Sequence, residues 1–170
     1  PDIDYVVFYE KPFDKFERIL MTTLQTYPKS WKVFRESMIT WLVDKLWVRH
    51  HIEQEVGVPK DRVLFCQHHL AHAASAFLAS PFDEAAILTV DGVGEWATAT
   101  YGVGNGTDIK LFKEIRFPHS LGLLYSAFTA FLGFEVNEGE YKVMGMAPYG
   151  DPRYVDEVWK LIRQFEDSSF

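Results

Sequence analysis

Gln67 to Ala76 reads QHHLAHAASA, and residues 85–91 read AAILTVD. These two segments constrain the chain more than any others. The first holds small and apolar residues with no Pro or Gly, so it predicts a helix starting near Gln67 or His68. On such a helix His68 and His72 lie one turn apart on one face, and His69 points elsewhere. The second segment predicts a buried strand that ends on the carboxylate of Asp91, with Gly92 next. Two imidazoles and a carboxylate in this order can hold one divalent ion, with His68, His72 and Asp91 as ligands. That donor set, with positions left open, suits iron(II), zinc or manganese. The same histidine spacing also occurs as surface decoration or helix capping, without any ion. A glycine beside the carboxylate favours the metal, because it lets backbone approach a ligand closely.

The 170 residues allow one large domain or two small lobes sharing a core, and 48% of them are hydrophobic, enough to build that core without disulfides. Cys66 is the single cysteine and sits in a strand pattern at 62–66, which predicts a buried structural thiol. A net charge of −7 supplies no general attraction to nucleic acid or an acidic membrane, so neither is expected as a partner. No signal peptide, membrane-spanning run or lipidation motif is visible, and a cytoplasmic protein is the expectation. Pro1 to Asp4 runs straight into a strand, and Asp167 to Phe170 follows a helix directly, which reads as a piece of a longer chain.

Taken in order, residues 4–9 predict a strand and residues 13–24 a helix with an apolar stripe. Ser30 is a candidate N-cap for one long helix over 31–55, which Gly57 ends. The histidine strand and helix follow, and Ser80-Pro81-Phe82 marks the boundary between a first lobe at 1–83 and a second at 84–170. Strands at 85–91, 96–104 and 109–117 come next, with Gly104-Asn105-Gly106 suited to a tight hairpin. Ser120 caps a helix to Leu132, Glu138 to Gly150 forms a short helix, and a last helix spans 152–165. The fold class is α/β. Three strands in hairpin series after an Asp-Gly strand end resemble the ribonuclease-H-like fold of actin-like and sugar-kinase-like ATPases, here partial and two-lobed.

Four blocks stand together: HHLAHAASAF at 68–77, LTVDGVGE at 88–95, FPHSLGLLYSAFTAFLGF at 117–134 and EGEYKVMGMAPYG at 138–150. In this order and spacing they resemble the O-carbamoyltransferases of the nodulation and cephamycin type, related to the tRNA threonylcarbamoyl transferase-like domains. The resemblance implies transfer of a carbamoyl group from carbamoyladenylate, made from carbamoyl phosphate and ATP, to a hydroxyl of a small natural product or sugar. It implies an iron-like metal held by two histidines and aspartates, with His68, His72 and Asp91 in three of those places. The fourth place, an aspartate, is expected beyond Phe170, and the carbamoyladenylate-forming domain elsewhere in the same protein.

Several residues are candidates around that chemistry. Gly92 and Gly94 either let backbone approach phosphate or ribose oxygens or form an ordinary turn. Ser120 and Gly122 open a helix whose free amides either face an anion or are simply capped. Glu138 and Lys142, at i and i+4 with Gly139 between, are either a ribose carboxylate and a phosphate-binding ammonium or an exposed pair. His69 is the candidate catalytic base, with a packed histidine as the other reading. Two further function classes remain: a nucleotide- and metal-binding module without transfer activity, and a metal hydrolase. Against the hydrolase, the zinc-protease pattern needs Glu directly after the first histidine, and His69 stands there.

Overall fold

The computed structural model describes residues 3–165. Strand β1 (Val6–Phe8) leads into helix α1 (Pro12–Gln25), which starts on a proline, where a missing N–H leaves nothing unsatisfied. Helices α2 (Trp31–Val43) and α3 (Val48–Val56) follow, and Gly57 closes α3 at φ 74°, in the left-handed region. Strand β2 (Val63–Phe65) returns beside β1 in parallel, pairing Val6 with Val63 and Phe8 with Phe65. Helix α4 (His68–Phe77) comes next. Strands β3 (Glu84–Val90), β4 (Ala97–Asn105) and β5 (Asp108–Arg116) then form one antiparallel sheet in sequence order. The β4–β5 hairpin turns on Gly106 at φ 59°, with Asn105 paired to Asp108, as a tight two-residue loop requires. Helices α5 (Leu121–Phe131), α6 (Glu140–Met146) and α7 (Val155–Trp159) follow. Among the described residues, no helix is long and apolar enough to cross a membrane.

The architecture is α/β, in two small sheets with helices. Four local expectations are corrected. The helix over 31–55 is broken at Asp44, whose φ of −125° and ψ of −64° leave the helical region. There the Trp47 indole donates Nε1–H to the Leu42 carbonyl at 2.8 Å, and a single 3-10 turn bridges to α3. Ser30 does not cap α2 with its side chain; its hydroxyl donates instead to the Thr23 carbonyl at 2.7 Å and ties α2 to α1. The last helix is α7 alone, five residues long, with Val155 and Trp159 exposed and only Val158 half-buried on it. Cys66 is half-buried, with its thiol donating to the Gln67 carbonyl, and burial pushes that thiol up.

The best-defined core lies where α4 crosses the three-stranded sheet. Ala73, Phe77 and Ile87 are buried there, with Ala85, Ile109 and Leu111 packed against them. The Phe77 ring lies directly over the Gly104 backbone, where an added Cβ would overlap the ring. This contact sets the distance between helix and sheet. We expect Phe77→Ala to cost about 3–5 kcal/mol, as truncation of a packed aromatic does. A fall in the urea unfolding midpoint of the intact protein measures it, and Phe77→Leu should lose less.

Candidate metal centre

The histidine helix is held by the middle of its three imidazoles. His69 is 3% exposed, with Nε2 2.9 Å from the Ala97 carbonyl and Nδ1 2.6 Å from the Thr89 hydroxyl. A carbonyl only accepts, so Nε2 carries the proton and Nδ1 accepts from Thr89. The Thr89 hydroxyl in turn lies 2.6 Å from that of Thr100, which completes the chain across β3 and β4. Burial pushes the His69 imidazole down and keeps it neutral. With both nitrogens engaged, His69 has no free site for a substrate proton. The structure gives it an anchoring place, against the expectation of a catalytic base.

Because His69 faces the sheet, His68 and His72 turn to the adjacent side of α4, where β3 ends. His68 Nε2 lies 2.7 Å from Asp91 Oδ2 and 3.0 Å from His72 Nε2, and His72 Nε2 lies 3.7 Å from the same carboxylate oxygen. The other oxygen, Oδ1, accepts the Gly92 amide at 2.6 Å. The His68 hydrogen bond holds the Asp91 carboxyl well below the usual carboxylate range, with burial opposing and the Gly92 amide helping. These three atoms stand close enough to share a hydrogen-bonding proton or to hold one metal ion between them. An ion about 2.0–2.2 Å from each donor would leave the donors at most about 4.4 Å apart. All three separations satisfy that limit. His68 Nδ1 is buried without a hydrogen-bond partner among the described residues, as a ligand imidazole awaiting its second contact would be. The donor set fits a divalent ion, and exposed His72 leaves its outer side open.

Glu95 organises this region, and its role was not apparent from the motif that contains it. Its buried carboxylate accepts the Lys11 amide at 2.8 Å and the His68 amide at 3.1 Å, and its carbonyl accepts Arg18 Nε–H at 2.6 Å. Gln67 caps α4 without a side-chain bond, so the first amide of the helix takes its acceptor from this loop. A glutamine at an N-cap, a poor capping residue, was the available signal.

The profile of the carbamoyltransferase N-terminus family matches residues 1–170. The chain belongs to the carbamoyltransferase N-terminal family. It is 52% identical over 162 residues to an uncharacterized protein of Synechocystis sp., covering 91% of this chain and 26% of that protein. It is 46% identical over 110 residues to nodulation protein NolNO of Sinorhizobium fredii, covering 64% and 16%. Nodulation protein NolO of Bradyrhizobium diazoefficiens is 39% identical over 101 residues, covering 59% and 18%. The chain thus spans about a quarter or less of the length of these curated relatives.

In this carbamoyltransferase N-terminal domain the remaining candidates divide by position. Gly94 packs on His68, with 3.0 Å between an added Cβ and the His68 Cβ. The Ser120 hydroxyl accepts the Leu123 amide at 3.0 Å as the helix cap and donates to the Gly92 carbonyl at 2.6 Å. Gly122 lies flat on the Asp91–Gly92 backbone, where a Cβ would stand 2.5 Å from the Asp91 carbonyl oxygen. These residues brace the turn that carries Asp91. Glu138 and Lys142 do not share a helix face: Asn137, at φ 70°, turns the chain, and α6 starts only at Glu140 after Gly139. Gly139 is buried against the Glu135 backbone and the Phe134 Cβ, while Glu138 and Lys142 are exposed. Among the described residues, no hydrogen bond or ion pair links these three to the histidine cluster. Sequence reading gave no role to Glu140, whose carboxylate accepts from Ser126 at 2.8 Å and fastens α6 to α5.

Gly122→Ala should force α5 off the Asp91 turn and cost about 1–3 kcal/mol as overpacking. Gly92→Ala meets only the Leu123 Cδ2 at 3.7 Å and should stay within about 0.5 kcal/mol of the parent. Thermal unfolding of the two variants side by side checks the contrast.

Proposed function

We propose that this chain is the metal-bearing N-terminal part of an O-carbamoyltransferase, which passes a carbamoyl group from carbamoyladenylate to a hydroxyl of a small natural product or sugar. The observation that carries the reading is the convergence of His68 Nε2, His72 Nε2 and Asp91 Oδ2 in a chain of this family. Two nodulation proteins among its relatives are consistent with a small-molecule acceptor. In the reaction the acceptor oxygen bonds to the carbamoyl carbon, the mixed anhydride C–O bond breaks, and AMP leaves. The hydroxyl proton is released.

A divalent ion, iron first with zinc or manganese as alternatives, would be held by His68, His72 and Asp91. It would supply Lewis acidity toward a carbonyl or phosphoryl oxygen. The chain's own part is to present these donors rigidly: Glu95 fixes the amide of His68, Gly92 fixes one oxygen of Asp91, and His69 fixes the helix. Carbamoyl phosphate and ATP are the sources of carbamoyladenylate on this reading, made by a domain elsewhere in the same protein. A cytoplasmic location, where both are made, goes with it. We further read residues 1–83 and 84–170 as parts of two lobes of a ribonuclease-H-like fold. The antiparallel β3–β4–β5 sheet followed by α5, with an Asp-Gly turn leaving β3, supports that reading. Gly92 and Gly94 then stand on the side where a nucleotide would approach.

The test uses the intact protein and its His68→Ala/His72→Ala variant, purified without a histidine tag. Elemental analysis should find one iron or zinc per parent chain and none in the variant. Transfer of label from carbamoyl phosphate to hydroxyl acceptors, with ATP present, should fall at least about 100-fold, the size of a lost electrostatic contribution of several kcal/mol. A variant with full transfer activity overturns the proposal.

A further inference from the structure

We propose that Glu10 is the positioning carboxylate of the metal centre, accepting the Nδ1–H of His68 when Nε2 holds the ion. The inference rests on the metal reading above and assigns a residue outside the ligand set. His68 Nδ1 is buried and has no hydrogen-bond partner among the described residues. A carboxylate oxygen, Glu10 Oε2, lies 3.9 Å from it, on a residue only 8% exposed. A neutral imidazole that gives its Nε2 lone pair to a metal must carry its proton on Nδ1. A buried N–H left without an acceptor is expensive, so the ligand form of His68 calls for one at this place. Closing 3.9 Å to hydrogen-bond length needs a shift of about 1 Å, within reach of a side-chain rotation.

The backbone already brings the two residues together. The Glu95 carboxylate accepts the amides of both Lys11 and His68, so residue 10 and the His68 ring are set against each other by one shared acceptor. Burying Glu10 is otherwise unfavourable, and Lys15 Nζ, 2.6 Å from Oε2, makes it tolerable as an ion pair. The carboxylate has lone pairs enough for the ammonium and for an imidazole N–H together. A histidine oriented in this way is a stronger and better-aimed ligand.

Zinc serves as a diamagnetic probe on the intact protein carrying 15N-labelled histidine. The parent should bind one zinc, and His68 Nδ1–H should give an exchange-protected proton resonance. Glu10→Ala should lose that protection and weaken zinc binding about 10–100-fold in competition with a chelator. Glu10→Gln keeps the volume and an acceptor oxygen. It should fold, retain the resonance at a shifted position, and bind zinc with affinity between the parent and Glu10→Ala. It decides the matter should Glu10→Ala fail to fold. A purely structural Glu10 would lower Tm yet leave the resonance and the zinc affinity of Glu10→Gln at parental values, and that result overturns the inference while the metal reading stands. A parent that takes up no zinc, iron or manganese overturns both.

Discussion

His69 donates to the Ala97 carbonyl and accepts from Thr89, and these two hydrogen bonds fix the rotation of α4 about its own axis. At about 100° per residue, that one setting decides where every other side chain of the helix points. Ala73 and Phe77, four and eight residues on, share its face and enter the core with Ile87. His68 and His72 lie one step round and meet Asp91. One helix therefore packs the sheet with one stripe and presents two imidazoles with the next. A neutral, buried histidine suits this task because its ring spans from one strand to the next with a donor and an acceptor.

Asp91 depends on a second set of contacts, made by backbone and small residues. The Asp91 amide continues the β3–β4 ladder to the Thr98 carbonyl, so the residue is still held as strand when its side chain turns toward the histidines. The Gly92 amide takes one carboxylate oxygen and leaves the other for His68. Ser120 and Gly122 press α5 onto the same turn, one through its hydroxyl and the other by having no side chain. A site built on a strand end, a helix face and a second helix start varies little in geometry.

What could be read in the sequence was what local periodicity encodes. The histidine helix, the strand ending on Asp91, the Gly106 hairpin and the Ser120 cap all arise from residues within a few positions of one another, and all formed. The break at Asp44 escaped because a single indole, Trp47, takes the Leu42 carbonyl, a choice no hydrophobic pattern records. Glu138 was paired with Lys142 by spacing alone, and the left-handed Asn137 defeats that spacing. Glu95 escaped for a different reason. It bonds a residue 84 positions away, and such contacts follow from how the elements meet, not from any one of them.

On the metal reading, donor chemistry narrows the ion further than geometry does. Two imidazole nitrogens and one carboxylate oxygen lack the oxygen-only shell that calcium prefers and that octahedral magnesium completes with water. With no thiolate or thioether in the set, the soft ions lose their reason to bind. Borderline divalent ions remain, and among them the protein can discriminate only through ligand count and the freedom of each ligand to move. Here His68 is held through its amide and is mostly shielded, while His72 is half in solvent with a longer reach to Asp91. The more rigid pair, His68 and Asp91, would set the position of such an ion. The more exposed His72 would then be the ligand freer to adjust to the coordination such an ion prefers.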